Sequence, residues 1–243
     1  MSRAHAQLRA LDAPGLRALP RSVSIITPVL DEAHVLPAWL IAVRALRCAQ
    51  VELLLVDGGS TDDTVALARA AGVHVLCAER GRARQMNAGA AQARGEILLF
   101  LHADTWLPAG ALAAVAARLD GRHCWGRFDV RIAGRPHMLR VIAWLMNLRS
   151  RLSGIATGDQ AIFVTREAFE RVGGFPDQPL MEDIEISRRL LRLGAPACLR
   201  LKVVTSGRRW EARGTWRTML LMWQLRWAYW RGVPASELAG RYR

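Results

Sequence analysis

Acidic residues follow two apolar runs and open a predicted helix, and these side chains are the best suited to chemistry. Asp57 follows one run, His102 and Asp104 follow another, and Glu182 and Asp183 open the helix. A carboxylate can bind a ribose or base, a carboxylate with an imidazole can hold Mg²⁺ or Mn²⁺, and a positioned carboxylate can accept a proton. The pattern predicts nucleotide binding, metal binding and base catalysis.

Each position also has a purely structural explanation. In the segment 57–64, Ser60 can cap the following helix with Asp63 at its third position, although this leaves Asp57 unexplained. The segment His102-Ala-Asp104, taken alone, is typical of a surface turn. Acids in a first helical turn gain about 0.3–1 kcal/mol each from the helix dipole, which would account for Glu182 and Asp183. Both kinds of explanation stay open.

The acidic pair Glu182–Asp183 is the sharpest acidic feature of a basic chain. With Glu185 it places three of the 21 acidic residues within four positions, beside a Gly- and Pro-rich loop at 173–179. Because adjacent helical residues diverge by about 100°, the pair cannot aim at one atom. We therefore expect one residue to be the catalytic base and the other to orient it or contact an acceptor.

Basic and polar residues in three further segments are candidates for binding phosphates and hydroxyls. Two arginines open the helix predicted at 82–94, where guanidinium groups and helix N-termini both favour phosphate oxygens. Asp159 and Gln160 precede a strand and can recognise hydroxyls, whereas Arg208 and Arg209 can compensate the charge of a leaving diphosphate. Polar residues of a solvated helix or loop are the alternative in each case.

Apolar strands and intervening helices predict how these residues are brought together. Strands at 22–27, 51–56, 73–77 and 96–101 alternate with helices at 32–47, 61–71 and 82–94. Such strands indicate parallel βαβ units with both sheet faces covered. Ligands of these sheets bind beyond the carboxyl ends of the strands, so chemistry is expected just after Thr27, Val56 and Leu101. Farther along, strands are predicted at 125–132 and 161–164 and helices at 107–119, 137–151, 182–193 and 215–231.

Composition restricts the class of protein. The 243 residues, 51% of them apolar, suffice for one α/β domain with a large core. A formal charge of +13 favours anionic partners, but every basic residue except Lys202 is arginine, which indicates compositional bias, and nucleic-acid binding is not predicted. The cysteines form no zinc or disulfide motif, and neither a signal sequence nor an apolar span of about 18 residues is found. We therefore expect a cytoplasmic protein.

A Trp- and Arg-rich segment ends the chain. Its predicted helix carries apolar residues at steps of three or four: Trp216, Met219, Leu220, Trp223, Trp227 and Trp230. Such a stripe is typical of a helix packed on a core. Because tryptophan with arginine is also typical of interfacial helices, peripheral binding to the inner face of the cell membrane is the alternative.

Five ordered motifs resemble those of inverting, nucleotide-sugar-dependent glycosyltransferases of family 2. Residues 24–32 (Ser-Ile-Ile-Thr-Pro-Val-Leu-Asp-Glu) are similar to the family's opening motif, with Asp before the Glu where Asn is usual. Residues 57–62 (Asp-Gly-Gly-Ser-Thr-Asp) resemble its nucleoside-binding segment, and 82–87 its Arg-Asn helix. His102–Asp104 resembles its Asp-x-Asp motif, and Glu182–Asp183 its catalytic pair. Several segments are also similar to a bacterial subgroup labelled arsenosugar-biosynthesis glycosyltransferases.

The resemblance, which spans about residues 23–209, implies a GT-A fold, an α/β fold with a Rossmann-like, mostly parallel sheet and helices on both faces. We divide the chain into an extension (1–20), a GT-A catalytic domain (21–209) and a helical arm (210–243). The implied reaction is direct displacement at the anomeric carbon of a nucleotide-sugar donor, a UDP-sugar first and a GDP-sugar second, by a small-molecule or lipid-like hydroxyl acceptor. The residues assigned are Asp183 as base with Glu182 beside it; Thr27, Pro28, Glu32, Asp57, Arg84, Asn87 and Ala103 at the nucleotide; Asp104 and His102 at a divalent metal, Mn²⁺ or Mg²⁺; and Asp159, Gln160, Arg208, Arg209 and Trp210 at the acceptor and diphosphate.

Two departures from the family pattern affect the expected activity. His102 replaces the first carboxylate of Asp-x-Asp, which leaves Asp104 as the main expected metal ligand. Gln224-Leu-Arg-Trp227 is one residue shorter than the Gln-x-x-Arg-Trp motif of processive synthases, so a single transfer is predicted.

Two other classes of protein are retained as alternatives. One is a sugar-phosphate nucleotidylyltransferase, although the loop at 28–32 is acidic and lacks the glycines of that class. The other is a non-catalytic basic protein that binds membranes or nucleic acid. A nicotinamide dehydrogenase is disfavoured because the dinucleotide fingerprint Gly-x-Gly-x-x-Gly is missing.

Overall fold

A computed structural model describes residues 19–46 and 48–242, so most of the predicted extension and the predicted helix end at Arg47 lie outside the described residues. Eight strands of the described part form one sheet in the order β3-β2-β1-β4-β7-β6-β8-β5. They are β1 (Val23–Val29), β2 (Val51–Asp57), β3 (His74–Cys77), β4 (Ile97–Phe100), β5 (Thr105–Trp106), β6 (Trp125–Ala133), β7 (Phe163–Thr165) and β8 (Ala197–Ser206).

Helices cover both faces of this sheet. They are α1 (Leu36–Arg44), α2 (Thr64–Ala70), α3 (Arg82–Gln92), α4 (Ala111–Arg118), α5 (Met138–Ser153), α6 (Arg166–Arg171), α7 (Glu182–Leu191), α8 (Arg208–Arg213), α9 (Thr215–Trp230) and α10 (Ala235–Tyr242), with a short 3₁₀ helix at Gly158–Gln160. Alternate strand residues contact opposite layers: Ile25 belongs to the core under α1, α4 and α5, and Ile26 to the core under α3, α6 and α7.

The first half of the sheet is parallel, as its apolar strands predict. β1 lies between β2 and β4 and runs parallel to both, and β3 runs parallel to β2. β1 continues through Pro28 to Val29, two residues beyond the predicted end. Proline has no N–H group and cannot donate a hydrogen bond to a neighbouring strand. Pro28 is tolerated because the pairing of β1 with β4 ends at Ile26, so the side of β1 that faces β4 needs no donor at Pro28.

The second half of the sheet is mixed and brings distant segments to the same edge. β7 runs antiparallel to β4 and to β6, whereas β8 runs parallel to β6. β5 was not predicted, because its two residues carry no periodicity; it pairs with the end of β8, where Thr105 faces Thr205. The backbone N–H of Ser206 donates to the carbonyl of Asp104 (3.0 Å). This pairing holds Asp104 beside the segment that begins α8.

The C-terminal helices α9 and α10 pack on the loop before α7. Leu225 of α9 and Leu238 of α10 are buried against Met181. The prediction that the Trp stripe of α9 packs on the core is wrong for all its members except Met219, because the face carrying Leu225 is the buried one. Trp216, Leu220, Trp223, Trp227 and Trp230 are all more than half exposed. Among the described residues, no helix combines the length and apolar character needed to cross a bilayer.

Candidate active site

A cavity of about 700 Å³ lies beyond the carboxyl ends of β1 and β4, bounded on its other sides by the starts of α3, α7 and α8 and by α9. Most of the predicted site residues line it: Pro28, Glu32, His102, Ala103, Asp104, Asp159, Glu182, Asp183, Arg208, Arg209 and Trp210. They come from five separate segments of the chain. The fold therefore brings together the residues predicted for metal, diphosphate and proton-transfer chemistry.

Asp57 does not line the cavity and instead holds the loop after β2. Its carboxylate is buried and accepts hydrogen bonds from the backbone N–H groups of Gly59 (3.0 Å) and Ser60 (3.1 Å) and from the Ser60 hydroxyl. Since α2 begins at Thr64, the predicted capping of this helix by Ser60 is wrong: the Ser60 side chain is bound to Asp57. Nucleotide binding by Asp57 stays a prediction.

Four other predicted residues also lie outside the cavity lining. Thr27 is fully buried, and Gln160 is buried with its side-chain oxygen accepting from the Thr157 N–H (3.2 Å). Asn87 binds both the N–H and the carbonyl of Phe175, at 2.9 and 2.8 Å, and so holds α3 to the Gly-rich loop. Arg84 forms ion pairs with Glu79 (2.6 Å) and Asp177 (2.8 Å). These four therefore contact the protein itself.

Arg82, rather than Arg84, lines the cavity from the start of α3. The two arginines are two positions apart, so they diverge by about 200° around the helix and only one can face a given side. The sequence therefore predicts that one of these two arginines faces the cavity, but it does not indicate whether this is Arg82 or Arg84.

The acidic pair is positioned by an unusual turn. Met181 adopts a φ of 64°, in the left-handed region that few residues with a side chain occupy, and the chain then enters α7. The Asp183 carboxylate accepts hydrogen bonds from the backbone N–H groups of Gly158 (3.0 Å) and Ile184 (2.8 Å). Two fixed donors orient this carboxylate at the cavity wall, whereas Glu182 is only 6% exposed.

Burial and the neighbouring negative charge of Asp183 raise the pKa of Glu182. Because the fold disfavours the charged form, this group lowers the free energy of unfolding progressively as pH rises from its unfolded-state pKa of about 4.3 through the raised folded-state pKa. Glu182→Gln is therefore expected to melt at a higher temperature than the wild type at pH 8, with the two curves converging near pH 4. Calorimetry across this range checks the prediction; a difference in Tm that is independent of pH would contradict it.

The residues predicted at the metal lie close to other polar side chains. The His102 ring nitrogen Nδ1 is 3.6 Å from Asp159 Oδ1, and Asp104 Oδ2 is 3.8 Å from the Arg208 guanidinium. Within 19–46 and 48–242, no three His, Cys, Asp or Glu residues are grouped closely enough to hold a metal by themselves. A magnesium or manganese ion bound with a nucleotide needs only one or two protein ligands, since phosphate oxygens supply the others. Asp104 and His102 fit such a metal.

Arginines line the cavity from several elements. Burial and the positive charge of Arg82 lower the pKa of Arg209, and Asp104 acts on Arg209 in the opposite direction. Arg226 of α9 also lines the cavity, with Thr218 and Met222 of the same helix. These three residues were not predicted as site residues, because helical spacing alone does not show which face of α9 packs toward the cavity.

Comparisons with known proteins point to one family. The family model described as "Glycosyl transferase family 2" matches residues 24–173. A "PGL/p-HBAD biosynthesis glycosyltransferase" of Mycobacterium bovis is 43% identical over 108 residues, which are 41% of this chain and 42% of that protein. An "Uncharacterized glycosyltransferase" of Mycobacterium tuberculosis is 36% identical over 100 residues, 41% of this chain and 44% of that protein. The chain thus spans less than half the length of these relatives.

Two solved structures show the fold. A mannosyltransferase from Pyrobaculum calidifontis, in complex with GDP-Man and Mn²⁺, superposes with a TM-score of 0.59 at 22% identity, covering 83% of this chain and 62% of that one. TarS of S. aureus, residues 1–349 in complex with UDP-GlcNAc, superposes with a TM-score of 0.60 at 17% identity, covering 76% and 58%. The predicted GT-A fold is confirmed.

Proposed function

The chain belongs to glycosyl transferase family 2, and we propose that it transfers one sugar, with inversion, from a nucleotide-diphosphate sugar to a hydroxyl acceptor. The observation that carries the proposal is the convergence of Asp183, Asp104 and Arg82 on one cavity of about 700 Å³. Binding cavities for small ligands have volumes of about 300–1,000 Å³. The catalytic unit would comprise residues 21–209, with residues 210–243 as an arm packed on it.

Asp183 is assigned as the base that takes the proton of the attacking hydroxyl. Its two backbone hydrogen bonds fix its direction, and a positioned carboxylate contributes about 10²–10⁴-fold to the rate. As the hydroxyl oxygen bonds to the anomeric carbon, the bond to the nucleoside diphosphate breaks on the opposite face, which inverts the configuration. Product configuration, measured by NMR, tests this step; retention would contradict it.

The leaving diphosphate develops negative charge. We assign the stabilisation of this charge to Arg82 and Arg209. Charges fixed around the leaving group act more strongly in the transition state than in the ground state. We assign Arg82 in place of Arg84, because Arg84 is held by Glu79 and Asp177. A divalent cation held by Asp104 and His102, when bound, would supply further compensation of this charge.

The donor is proposed to be a UDP-sugar first and a GDP-sugar second. Support comes from the fold, since the two structures described above hold UDP-GlcNAc and GDP-Man. A thermal-shift series of nucleoside diphosphates, with and without Mn²⁺, tests the class of function and identifies the base. A ligand at about 100 times its Kd adds about 2.7 kcal/mol to the free energy of unfolding.

Other outcomes of this series would favour the alternatives. A preference for nucleoside triphosphates with a sugar phosphate would favour a nucleotidylyltransferase. Absence of any nucleotide effect, together with salt-sensitive binding to DNA or vesicles, would favour a non-catalytic basic protein.

An anionic membrane surface is proposed as the partner of two adjacent helices. α5 exposes Val141, Trp144, Leu148 and Leu152 at helical spacing, and α9 exposes its Trp stripe. Neither helix contains an acidic residue, and exposed arginines such as Arg140 and Arg231 lie beside these stripes. Exposed tryptophan with basic residues is typical of helices that bind the interface of anionic bilayers. A lipid-like acceptor would reach the cavity from this side, since α9 also lines it.

Trp144→Ser and Trp223→Ser are each expected to weaken binding to vesicles of equal parts phosphatidylglycerol and phosphatidylcholine. Loss of one buried aromatic side chain corresponds to about tenfold in partitioning. Sedimentation with vesicles measures the effect, and Ile41→Ser, an exposed apolar residue of α1, is the control. Equal binding by all four proteins would contradict the membrane proposal.

A further inference from the structure

The backbone of Gly158 lies against the imidazole ring of His102. A Cβ atom added to Gly158 would stand 2.5 Å from Cε1 and 2.7 Å from Nε2 of this ring. Carbon atoms in contact are normally about 3.5–4.0 Å apart, so a side chain at position 158 and the ring cannot share their present places. The φ of Gly158 is not positive, so the backbone itself would accept alanine. The ring therefore explains why this position has no side chain.

The His102 ring has little freedom to move away from this contact. Its side chain is only 16% exposed, and its Nδ1 atom lies 3.6 Å from Oδ1 of Asp159, the residue after Gly158. His102 follows β4 and Gly158 precedes β7, and these two strands are paired antiparallel with Leu99 opposite Phe163. The pairing of the two strands therefore fixes the backbone on both sides of the contact.

Gly158 also directs the proposed base. Its N–H group donates to Oδ2 of Asp183 (3.0 Å). A second contact docks the same segment on α7, because the N–H of Ala156 donates to the Ser187 hydroxyl (3.1 Å), which itself donates to the Asp183 carbonyl (2.7 Å). Asp183 and Ser187 are one helical turn apart on one face of α7. Two points of contact therefore hold the segment against the helix that carries the base.

Buried hydrogen bonds fix the shape of the turn that carries Gly158. The side-chain oxygen of Gln160 accepts from the Thr157 N–H (3.2 Å), and the Gln160 N–H donates to the Thr157 carbonyl (2.8 Å). Both residues are buried. Ala161, which follows, has a φ of 48°, and such a conformation persists only where the surrounding structure imposes it. The turn is therefore a rigid link between the ring and the carboxylate.

We propose that Gly158 is a positioning residue that fixes the carboxylate of Asp183 relative to the imidazole of His102. Its N–H group directs the carboxylate, and its lack of a side chain admits the ring. The inference rests on the proposed function, which takes Asp183 as the base and places His102 at the donor's metal. In that reaction the base has to lie opposite the leaving diphosphate, and a misplacement of about 1 Å can cost about 10²-fold in rate.

Gly158→Ala, made in the full chain, tests the inference. The added methyl group requires the ring and the turn to separate by about 1 Å. Nucleoside-diphosphate affinity in Mn²⁺ is expected to fall about tenfold, since residues that orient a metal ligand contribute about 10–100-fold to metal affinity. Affinity in chelator is expected to stay close to that of the wild type. A fall in kcat of about tenfold or more is also expected, because the turn directs Asp183. Calorimetric titration measures affinity, and release of nucleoside diphosphate measures kcat.

The same substitution in a His102→Ala background separates positioning from a general effect on the fold. The three atoms nearest to the added methyl group all belong to the His102 ring, the third of them at 3.6 Å. Without the ring, Gly158→Ala is expected to change affinity in Mn²⁺ and kcat by no more than about twofold relative to His102→Ala alone. A glycine with a merely structural role would cost the same in both backgrounds.

The matched control is Gly240→Ala in α10, where an added Cβ would meet no atom of the described residues within 4 Å beyond its own helix. This variant is expected to bind the nucleotide in Mn²⁺ and to turn over like the wild type. If Gly158→Ala alone fails to fold, the double variant is expected to fold, because it lacks the ring. Recovery of the fold supports the inference, and failure of the double variant to fold overturns it.

A loss of affinity in Mn²⁺ or of kcat that disappears in the His102→Ala background supports the inference. The inference is overturned if Gly158→Ala matches the wild type in both measurements, or if its loss is equally large without the ring. In those cases the proposed function stands. Absence of nucleoside-diphosphate binding by the wild type would instead overturn the proposed function and this inference with it.

Discussion

Asp183→Asn is expected to lower kcat for sugar transfer by about 10²–10⁴-fold while leaving nucleotide affinity close to that of the wild type. The substitution keeps the size of the side chain and one oxygen to accept the Gly158 N–H, but the amide cannot take a proton from the acceptor. Release of nucleoside diphosphate in the presence of acceptor measures kcat, and calorimetric titration with the nucleotide measures affinity.

Glu185→Gln is the matched control for this experiment. Glu185 lies in the same first turn of α7, but it is ion-paired with Arg189 (3.3 Å) and is not among the residues lining the cavity. Its loss is expected to leave kcat close to that of the wild type. Full activity of Asp183→Asn would refute the assignment of Asp183 as base, and equal loss in both variants would indicate damage to α7.

Asp104→Ala is expected to weaken nucleoside-diphosphate binding about tenfold or more when Mn²⁺ is present and not to weaken it when Mn²⁺ is absent. With metal, the variant lacks the carboxylate expected to hold the cation against the phosphates. Without metal, the carboxylate repels the diphosphate and attracts Arg208, at 3.8 Å, and Arg209, so its removal leaves both arginines to the diphosphate and carries no loss of affinity. Titrations in Mn²⁺ and in chelator measure both affinities.

The control here is Asp120→Asn, an exposed acid after α4 and outside the cavity lining, for which the effect of Mn²⁺ on affinity is expected to match the wild type. If Asp104→Ala binds the nucleoside diphosphate in Mn²⁺ as tightly as the wild type does, the assignment of Asp104 as a metal ligand is refuted.

Much of the first half of the fold follows from the sequence, because the relevant information is local. Runs such as Leu53–Val56 and Leu98–Leu101 are apolar at every position, which requires that both faces of each strand be covered. Helices between them then force a parallel sheet, and a parallel sheet places ligands at one edge. The acids that follow β4 and open α7 were therefore found from residue type and position alone.

The helix boundaries were less well predicted. α1 begins at Leu36 and α2 at Thr64, each several residues after the predicted start, since the preceding loops bind each other: the Asp31 carboxylate accepts from the Thr61 N–H (2.7 Å), and the Asp31 N–H donates to the Ser60 hydroxyl (2.9 Å). Such contacts join residues about 30 positions apart, which no local pattern reveals.

The sequence by itself determined the fold class, the edge of the sheet at which the cavity lies and the acidic residues placed there, because apolar periodicity and motif spacing are properties of neighbouring residues. Only the tertiary structure decided that Arg82 and not Arg84 faces the cavity, that Asp57 holds a loop, and that α9 turns Arg226 inward and its tryptophans outward. A helix carries its residues around all sides, and only its packing partners determine which side is covered.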